Sequence, residues 1–175
     1  MSACVRPARA DDIAAITAIY AGHVLTGLAT FEEVPPDAAE MARRHADIAG
    51  RGLPYLVAEE TGGVVGYAYA GPYRPRSAYR FTVEDSIYLA PGAAGRGLGR
   101  ALLTRVIAES TAWGARQMLA VIGDSGNAAS IGLHRSLGFR HLAVLEAVGF
   151  KFGRWVDSVT LQLPLGEGSA TLPPA

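Results

Sequence analysis

Residues 80–103 read RFTVEDSIYLAPGAAGRGLGRALL. From Phe81 to Leu89 the odd positions include Phe81, Val83, Ile87 and Leu89, and the even positions are Thr82, Glu84, Ser86 and Tyr88. That period of two predicts a strand with one apolar and one polar face. Pro91 and Gly92 end it. Leu98, Leu102, Leu103, Val106 and Ile107 then recur at helical spacing, which predicts a helix from about Arg96 to Ala112. The join between strand and helix is Gly95-Arg96-Gly97-Leu98-Gly99-Arg100.

A glycine-rich turn into a helix N-terminus suits an anion. The first helical amides lack partners within the helix, and the helix dipole favours negative charge there. Glycine lets a phosphate approach the backbone, and Arg96 and Arg100 add positive charge. The same glycines also suit tight packing with no ligand. A P-loop would need Gly-Lys-Ser/Thr where this chain has Gly99-Arg100-Ala101. A dinucleotide fingerprint would need glycine in place of Arg100 and an acidic residue ending the next strand, where only Asp124 follows.

The remainder of the chain frames this join. At 175 residues, one domain is expected over 1–165, with a loose Gly- and Pro-containing tail over 166–175. Half the residues are hydrophobic, and Lys plus Arg equals Asp plus Glu at 16 each, so nothing in the charge favours nucleic acid. The single Cys4 excludes an internal disulfide, and no metal cluster is expected. No apolar run approaches membrane-spanning length and no signal-peptide pattern is present, so the cytoplasm is the expected compartment.

Upstream, Ala3 to Ala8 is expected as a strand, with Asp11 or Asp12 capping a helix that carries Ile13, Ile16, Ile19, Tyr20, Val24 and Leu28 on one face. Ala29 to Glu33 has no strong period. Asp37 to Gly50 is a second helix, and Tyr55–Glu59 with Val64–Ala70 form a hairpin. Gly71 to Tyr79 holds two prolines, two arginines and two tyrosines, and reads as a loop. It is either a solvated basic loop or a grip for a carboxylate, to which arginine is best suited. Downstream, Gln117–Ile122 is a strand and Asn127–Leu137 a helix. Val144–Lys151 and Trp155–Leu163 are a final hairpin around Gly153. The order is β-α-α-β-β-β-α-β-α-β-β.

With that order, the loop Gly92-Ala93-Ala94-Gly95-Arg96-Gly97-Leu98-Gly99 resembles the pyrophosphate loop of the GNAT acetyltransferases. Further segments resemble the phosphinothricin and methionine sulfoximine N-acetyltransferase branch. They are Ala29-Thr30-Phe31-Glu32, Tyr73-Arg74-Pro75-Arg76, Ala78 to Ser86, Asn127 with Ser130, Leu133-His134, Leu137-Gly138-Phe139 and Val148 to Trp155. The resemblance spans roughly residues 4–163 and implies an α+β fold. Its centre is a mixed, mostly antiparallel twisted sheet of about seven strands flanked by about four helices. Acetyl-CoA, the co-substrate, would lie in the cleft between the fourth and fifth strands. A homodimer with the acceptor near the subunit interface is also implied.

Acetyl transfer to an amine needs a deprotonated amine, a stabilised oxyanion and a proton for the departing thiolate. The resemblance makes Glu84 the candidate base or substrate anchor. An ordinary glutamate titrates near 4.3, so Glu84 needs partial burial or a water relay to act near neutrality. His134 occupies the position of the thiolate's acid in the family, although a helix histidine also serves in packing. Ile87, Tyr88 and Leu89 are implied to present backbone groups to the cofactor at a bulge. Gly95, Arg96, Gly97, Leu98, Gly99 and Arg100 would hold its pyrophosphate. Asn127 and Ser130 would meet the pantetheine arm, Asn127 also reading as a plain N-cap. Phe31, Glu32, Arg74, Arg76, Tyr79 and Glu84 are the candidate acceptor residues, with the arginines on an α-carboxylate.

The implied activity is direct acetylation of the α-amino group of a small amino acid analogue, giving resistance to it. Two alternatives stay open. One is an acetyltransferase for a peptide N-terminus, an antibiotic or a polyamine, and the other is a non-catalytic acetyl-CoA sensor. A polyamine would want carboxylates where Arg74 and Arg76 stand. A sensor would not need Glu84 and His134.

Overall fold

The computed structural model describes residues 4–173. Ala3 of the expected first strand, and Pro174 and Ala175 of the tail, lie outside the described residues. The elements follow the expected order: β1 (Cys4–Pro7), α1 (Ile13–Thr26), α2 (Ala38–Gly50), β2 (Tyr55–Glu60), β3 (Gly63–Pro72) and β4 (Thr82–Leu89). Then come α3 (Leu98–Trp113), β5 (Gln117–Gly123), α4 (Ala128–Ser136), β6 (Arg140–Lys151) and β7 (Arg154–Pro164). Short 3-10 turns occupy Ala10–Asp12 and Ser77–Tyr79. The strands form one seven-stranded sheet in the order β1-β2-β3-β4-β5-β7-β6. Every pairing is antiparallel except β4–β5. Among the described residues no helix is long and apolar enough to cross a membrane.

Helices cover both faces of the central strand. Tyr20 of α1 meets Tyr88 edge to face at 5.0 Å, while Gly99 of α3 lies against Ile87 and Leu89. Neighbouring residues on a strand point to opposite faces, so α1 and α3 sandwich β4. The core follows: Ile16, Val24, Leu56, Val57, Leu102, Leu103, Val106, Met118 and Leu161 are buried. Each such side chain contributes about 1.5–3 kcal/mol by leaving water.

Several local expectations shift for physical reasons. The central helix starts at Leu98, not Arg96, because Gly97 adopts a left-handed φ of 83° and caps it. Asp12 holds the N-cap position of α1, but its carboxylate makes no cap bond to the helix. The Asp12 carboxylate instead accepts from Arg6 at 2.7 and 2.9 Å and from the Arg9 amide at 2.7 Å. Asp37 does cap α2, accepting from the Glu40 amide at 2.8 Å. The last hairpin starts earlier, at Arg140. Residues after Pro164 turn back toward Arg116, whose guanidinium donates to Gly168 O, Thr171 Oγ1 and Leu172 O.

Two contacts fix the segment after α1. Gly123, at the end of β5, has no room for a side chain, since a Cβ there overlaps the Leu28 carbonyl oxygen. Gly123→Ala is therefore expected to destabilise the protein by about 2–3 kcal/mol, read by urea unfolding. The buried Lys151 ammonium donates to Gly27 O at 2.9 Å and Thr30 O at 2.8 Å.

Candidate active site

The strand pair β4–β5 makes the site. The two run parallel and pair from Thr82↔Gln117 to Asp85↔Ala120, and no further. Both strands continue beyond that point, β4 pairing with β3 and β5 with β7. The sheet thus splits into a wedge whose inner edges carry backbone N–H and C=O groups with no strand partner across the gap. Such groups need partners when buried, which suits an amide-bearing ligand laid between the strands. The expected bulge near Tyr88 is not in the β3–β4 ladder, whose register runs unbroken from Gly66↔Leu89 to Pro72↔Val83. Divergence of β4 from β5 opens the strand edge instead.

At the apex of the wedge a cavity of about 40 Å³ is lined by Asp85, Ser86, Ile87, Tyr88, Ala120, Asn127, Ser130 and His134, among others. Asn127 and Ser130 come from the start of α4, where Asn127 Oδ1 accepts from the Ser130 amide at 3.2 Å as the N-cap. Leu89 O is met by His23 Nε2 at 2.9 Å. At the wide end lies the glycine loop, where Gly92, Gly95 and Gly97 have φ values of 78°, 76° and 83°. Arg96 reaches Glu60 at 2.6 Å on one side and Arg100 donates to Ser136 Oγ at 2.8 Å on the other. Leu98 and Gly99 are buried at the first turn of α3, where a Cβ on Gly99 would crowd Leu133 at 3.1 Å.

Glu84 stands one residue before the apex on the α1 face of the sheet, pairing in register with Gly71 and Leu119. Among the described residues nothing donates a hydrogen bond to its carboxylate. Burial, then the neighbouring Asp85 charge, pushes it up to about 7, against the pull of Arg74. A carboxylate so poised accepts a proton at neutral pH far better than an ordinary one.

His134 is buried, and both ring nitrogens are engaged: Nδ1 with Ser130 O at 2.8 Å and Nε2 with Asp85 Oδ2 at 2.9 Å. Burial works against the charged ring, but the hydrogen bond and charge of Asp85 and the Ser130 carbonyl outweigh it and raise the pKa. Asp85 is the residue the sequence reading missed. The signal was an acidic residue on the apolar side of the β4 alternation, with a partner 49 positions away.

The expected acceptor residues fall into two groups. Arg74, Arg76 and Tyr79 are exposed and border a cavity of about 640 Å³ that Glu84 does not line. Arg74 stacks on Tyr73 at 4.9 Å, and Tyr79 meets Tyr73 edge-on. Phe31 lies against Gly149 of β6, whose missing side chain leaves room for the ring. Glu32 is turned into the fold, Oε1 accepting from Tyr20 at 3.0 Å and Arg44 at 2.7 Å. The described residues hold no group of His, Cys, Asp and Glu able to bind a metal.

Comparison with known proteins agrees with this geometry. The model of the acetyltransferase (GNAT) family matches residues 19–139. Phosphinothricin N-acetyltransferase of Alcaligenes faecalis is 60% identical over 169 residues, covering 97% of this chain and 86% of that protein. The L-methionine sulfoximine/L-methionine sulfone acetyltransferase of Salmonella typhimurium is 44% identical, covering 95% and 96%. A phosphinothricin acetyltransferase from Sinorhizobium meliloti, solved in complex with AcCoA, superposes with a TM-score of 0.96 at 53% identity, covering 99% of this chain and 94% of that one. The wedge, the glycine loop and these matches together show that the chain belongs to the GNAT acetyltransferase family.

Proposed function

We propose that this enzyme moves the acetyl group of acetyl-CoA directly to the free α-amino group of a small amino acid analogue of the phosphinothricin, methionine sulfoximine or methionine sulfone type, and so detoxifies it. The observation that carries the reading is Glu84, a carboxylate poised near neutrality beside the wedge apex and within the field of Arg74. The names of the relatives support the same acceptor class. The glycine loop and the first turn of α3, Gly95 to Arg100, take the pyrophosphate. The free edge of β4, Ile87 to Leu89, together with Asn127 and Ser130, takes the pantetheine arm, and a backbone N–H near Tyr88 or Leu89 receives the oxyanion.

Glu84 removes the first proton from the acceptor ammonium, and the buried pair His134–Asp85 is the second proton-handling group. Arg74 and Arg76 hold the α-carboxylate, Tyr79 and Phe31 border the side chain, and Glu32 acts through the loop it anchors to Arg44. Cys4 is exposed on β1, away from the wedge, so the reading includes no acetyl-cysteine step. The proposed compartment is the cytoplasm, where a lone thiol stays reduced.

The test is acetyl-CoA-dependent thiol release with methionine sulfoximine, phosphinothricin, methionine sulfone, spermidine and a short peptide. Saturable turnover of the first three is expected. Turnover confined to spermidine or peptide would sink the acceptor assignment. Arg74→Ala is expected to raise the acceptor KM about tenfold or more at nearly constant kcat, because a carboxylate grip is felt alike in ground and transition states. An unchanged KM would make the loop a bystander.

The reading includes a homodimer. β6 is an edge strand that exposes Leu142, Val144, Leu145, Val148 and Phe150, with Trp155 beside it on β7. An exposed apolar edge is an association surface unless covered, and a second copy of the chain is the proposed cover. Sedimentation should give twice the chain mass, with Phe150→Glu shifting it to the monomer. A monomeric unsubstituted protein would end this part of the reading.

A further inference from the structure

The pair formed by Asp85 and His134 invites a division of labour opposite to the one the sequence suggests. Ser130 O can only accept, so Nδ1 of His134 carries a proton toward it. Nε2 is committed to Asp85 Oδ2, and the ring is 2% exposed and packed edge-on against Phe139 at 5.0 Å. No ring nitrogen remains to meet a thiolate. Asp85 is different. Its side chain is 1% exposed, Oδ2 is bound to His134, and Oδ1 is buried with no partner among the described residues. The same residue lines the cavity of about 40 Å³ where β4 and β5 part, beside Ser86, Ala120, Asn127 and Ser130. A buried, unpaired carboxylate oxygen is unfavourable, and its persistence at a ligand cleft points to a partner that arrives with the ligand.

We propose that Asp85, through Oδ1, is the group of this pair that meets the reacting atoms, and that His134 is its positioning residue. The proposal rests on the acetyl-transfer reading and gives it a proton route. An acceptor that arrives as an ammonium loses two protons on becoming an amide. Glu84 takes the first, before the amine attacks. The second sits on nitrogen in the tetrahedral adduct. Asp85 Oδ1 takes it and returns the same proton to sulfur as the C–S bond breaks and the C=O bond reforms. The Asp85 carboxylate is regenerated, Glu84 releases its proton to solvent before the next turnover, and no further reactant is needed. Glu84 and Asp85 are consecutive on β4, so they flank the split from opposite faces of the sheet. His134 spans the two acceptors, Nδ1 on Ser130 O and Nε2 on Asp85 Oδ2, and so fixes the orientation of the Asp85 carboxylate.

The test uses the full chain with Asp85→Asn and His134→Gln, each assayed for turnover and for acetyl-CoA affinity by calorimetry. Asp85→Asn is expected to lower kcat about 100-fold or more. His134→Gln should cost only about tenfold, since its amide still donates to Asp85. Both should keep acetyl-CoA affinity within about threefold of the parent. The reverse order of kcat losses would restore His134 as the acid and overturn the proposal. Nitrogen-15 NMR of histidine-labelled unsubstituted protein gives a second reading that needs no variant. Both ring nitrogens of His134 should be protonated at neutral pH, and a neutral ring would equally overturn the proposal. Failure of the unsubstituted protein to bind acetyl-CoA would strike the underlying acetyl-transfer reading, and the proposal with it.

Discussion

Glu84→Gln is expected to lower kcat by about 10²- to 10⁴-fold while leaving acetyl-CoA affinity nearly unchanged. The reason is positional as well as electrostatic. Glu84 lies beside the wedge apex, and burial pushes its carboxyl above the ordinary carboxylate range, up to about 7. For the unsubstituted enzyme kcat should rise with pH through about 7 and then level off, as Glu84 ionises. In Glu84→Gln that limb should vanish, and a fully active variant would remove Glu84 from the mechanism.

The same shift has a consequence for stability. The folded state holds the Glu84 proton more tightly than the unfolded chain does. Its contribution is therefore fully present below about 4.5, falls as pH rises, and is lost above about 7. Glutamine cannot ionise, so the inactive variant should be more stable than its parent at pH 8 by about 1–2 kcal/mol, discounted for the water that reaches the carboxylate. At pH 4 the two should melt together. Thermal denaturation at these two pH values reads this directly. Equal melting at pH 8 would show that its surroundings do not penalise the Glu84 charge.

Much of this architecture is written in local patterns. The apolar period of α3, the alternation of β4 and the glycines between them place the cofactor loop, because each depends only on neighbours a few residues apart. Asn127 is legible for the same reason, its cap bond closing over three residues. What stays hidden is long-range. Asp85 looks like a lapse in an alternating strand until α4 brings His134 to it. Nothing local shows that α2 delivers Arg44 to Glu32, expected as an acceptor residue, or that the Lys151 ammonium meets two carbonyls from the segment after α1. The wedge is likewise a property of two strands. Residues 82–89 alone do not tell where pairing with β5 stops; the resemblance implies a bulge there, and a divergence is found in its place.

Gly97→Asp is expected to weaken acetyl-CoA binding about 100-fold, a loss of about 2.7 kcal/mol, with kcat at saturating cofactor changed far less. Room is not the issue, since a Cβ at Gly97 meets nothing within 4 Å. Conformation and charge are. Gly97 caps α3 with a φ of 83°, a left-handed backbone that costs an ordinary L-residue about 1–2 kcal/mol. An aspartate there also places a negative charge on the amides that would hold the pyrophosphate, both occupying the donors and repelling the ligand. Its cap bond offsets part of the strain, so thermal stability should move little even as affinity collapses. Gly97→Ala separates the two causes, because it carries strain without charge. Its affinity should fall by less than about tenfold, as expected for strain alone. If calorimetry returned parental affinity for Gly97→Asp, the phosphates would not lie at this helix terminus, and the glycines would have to be explained by packing.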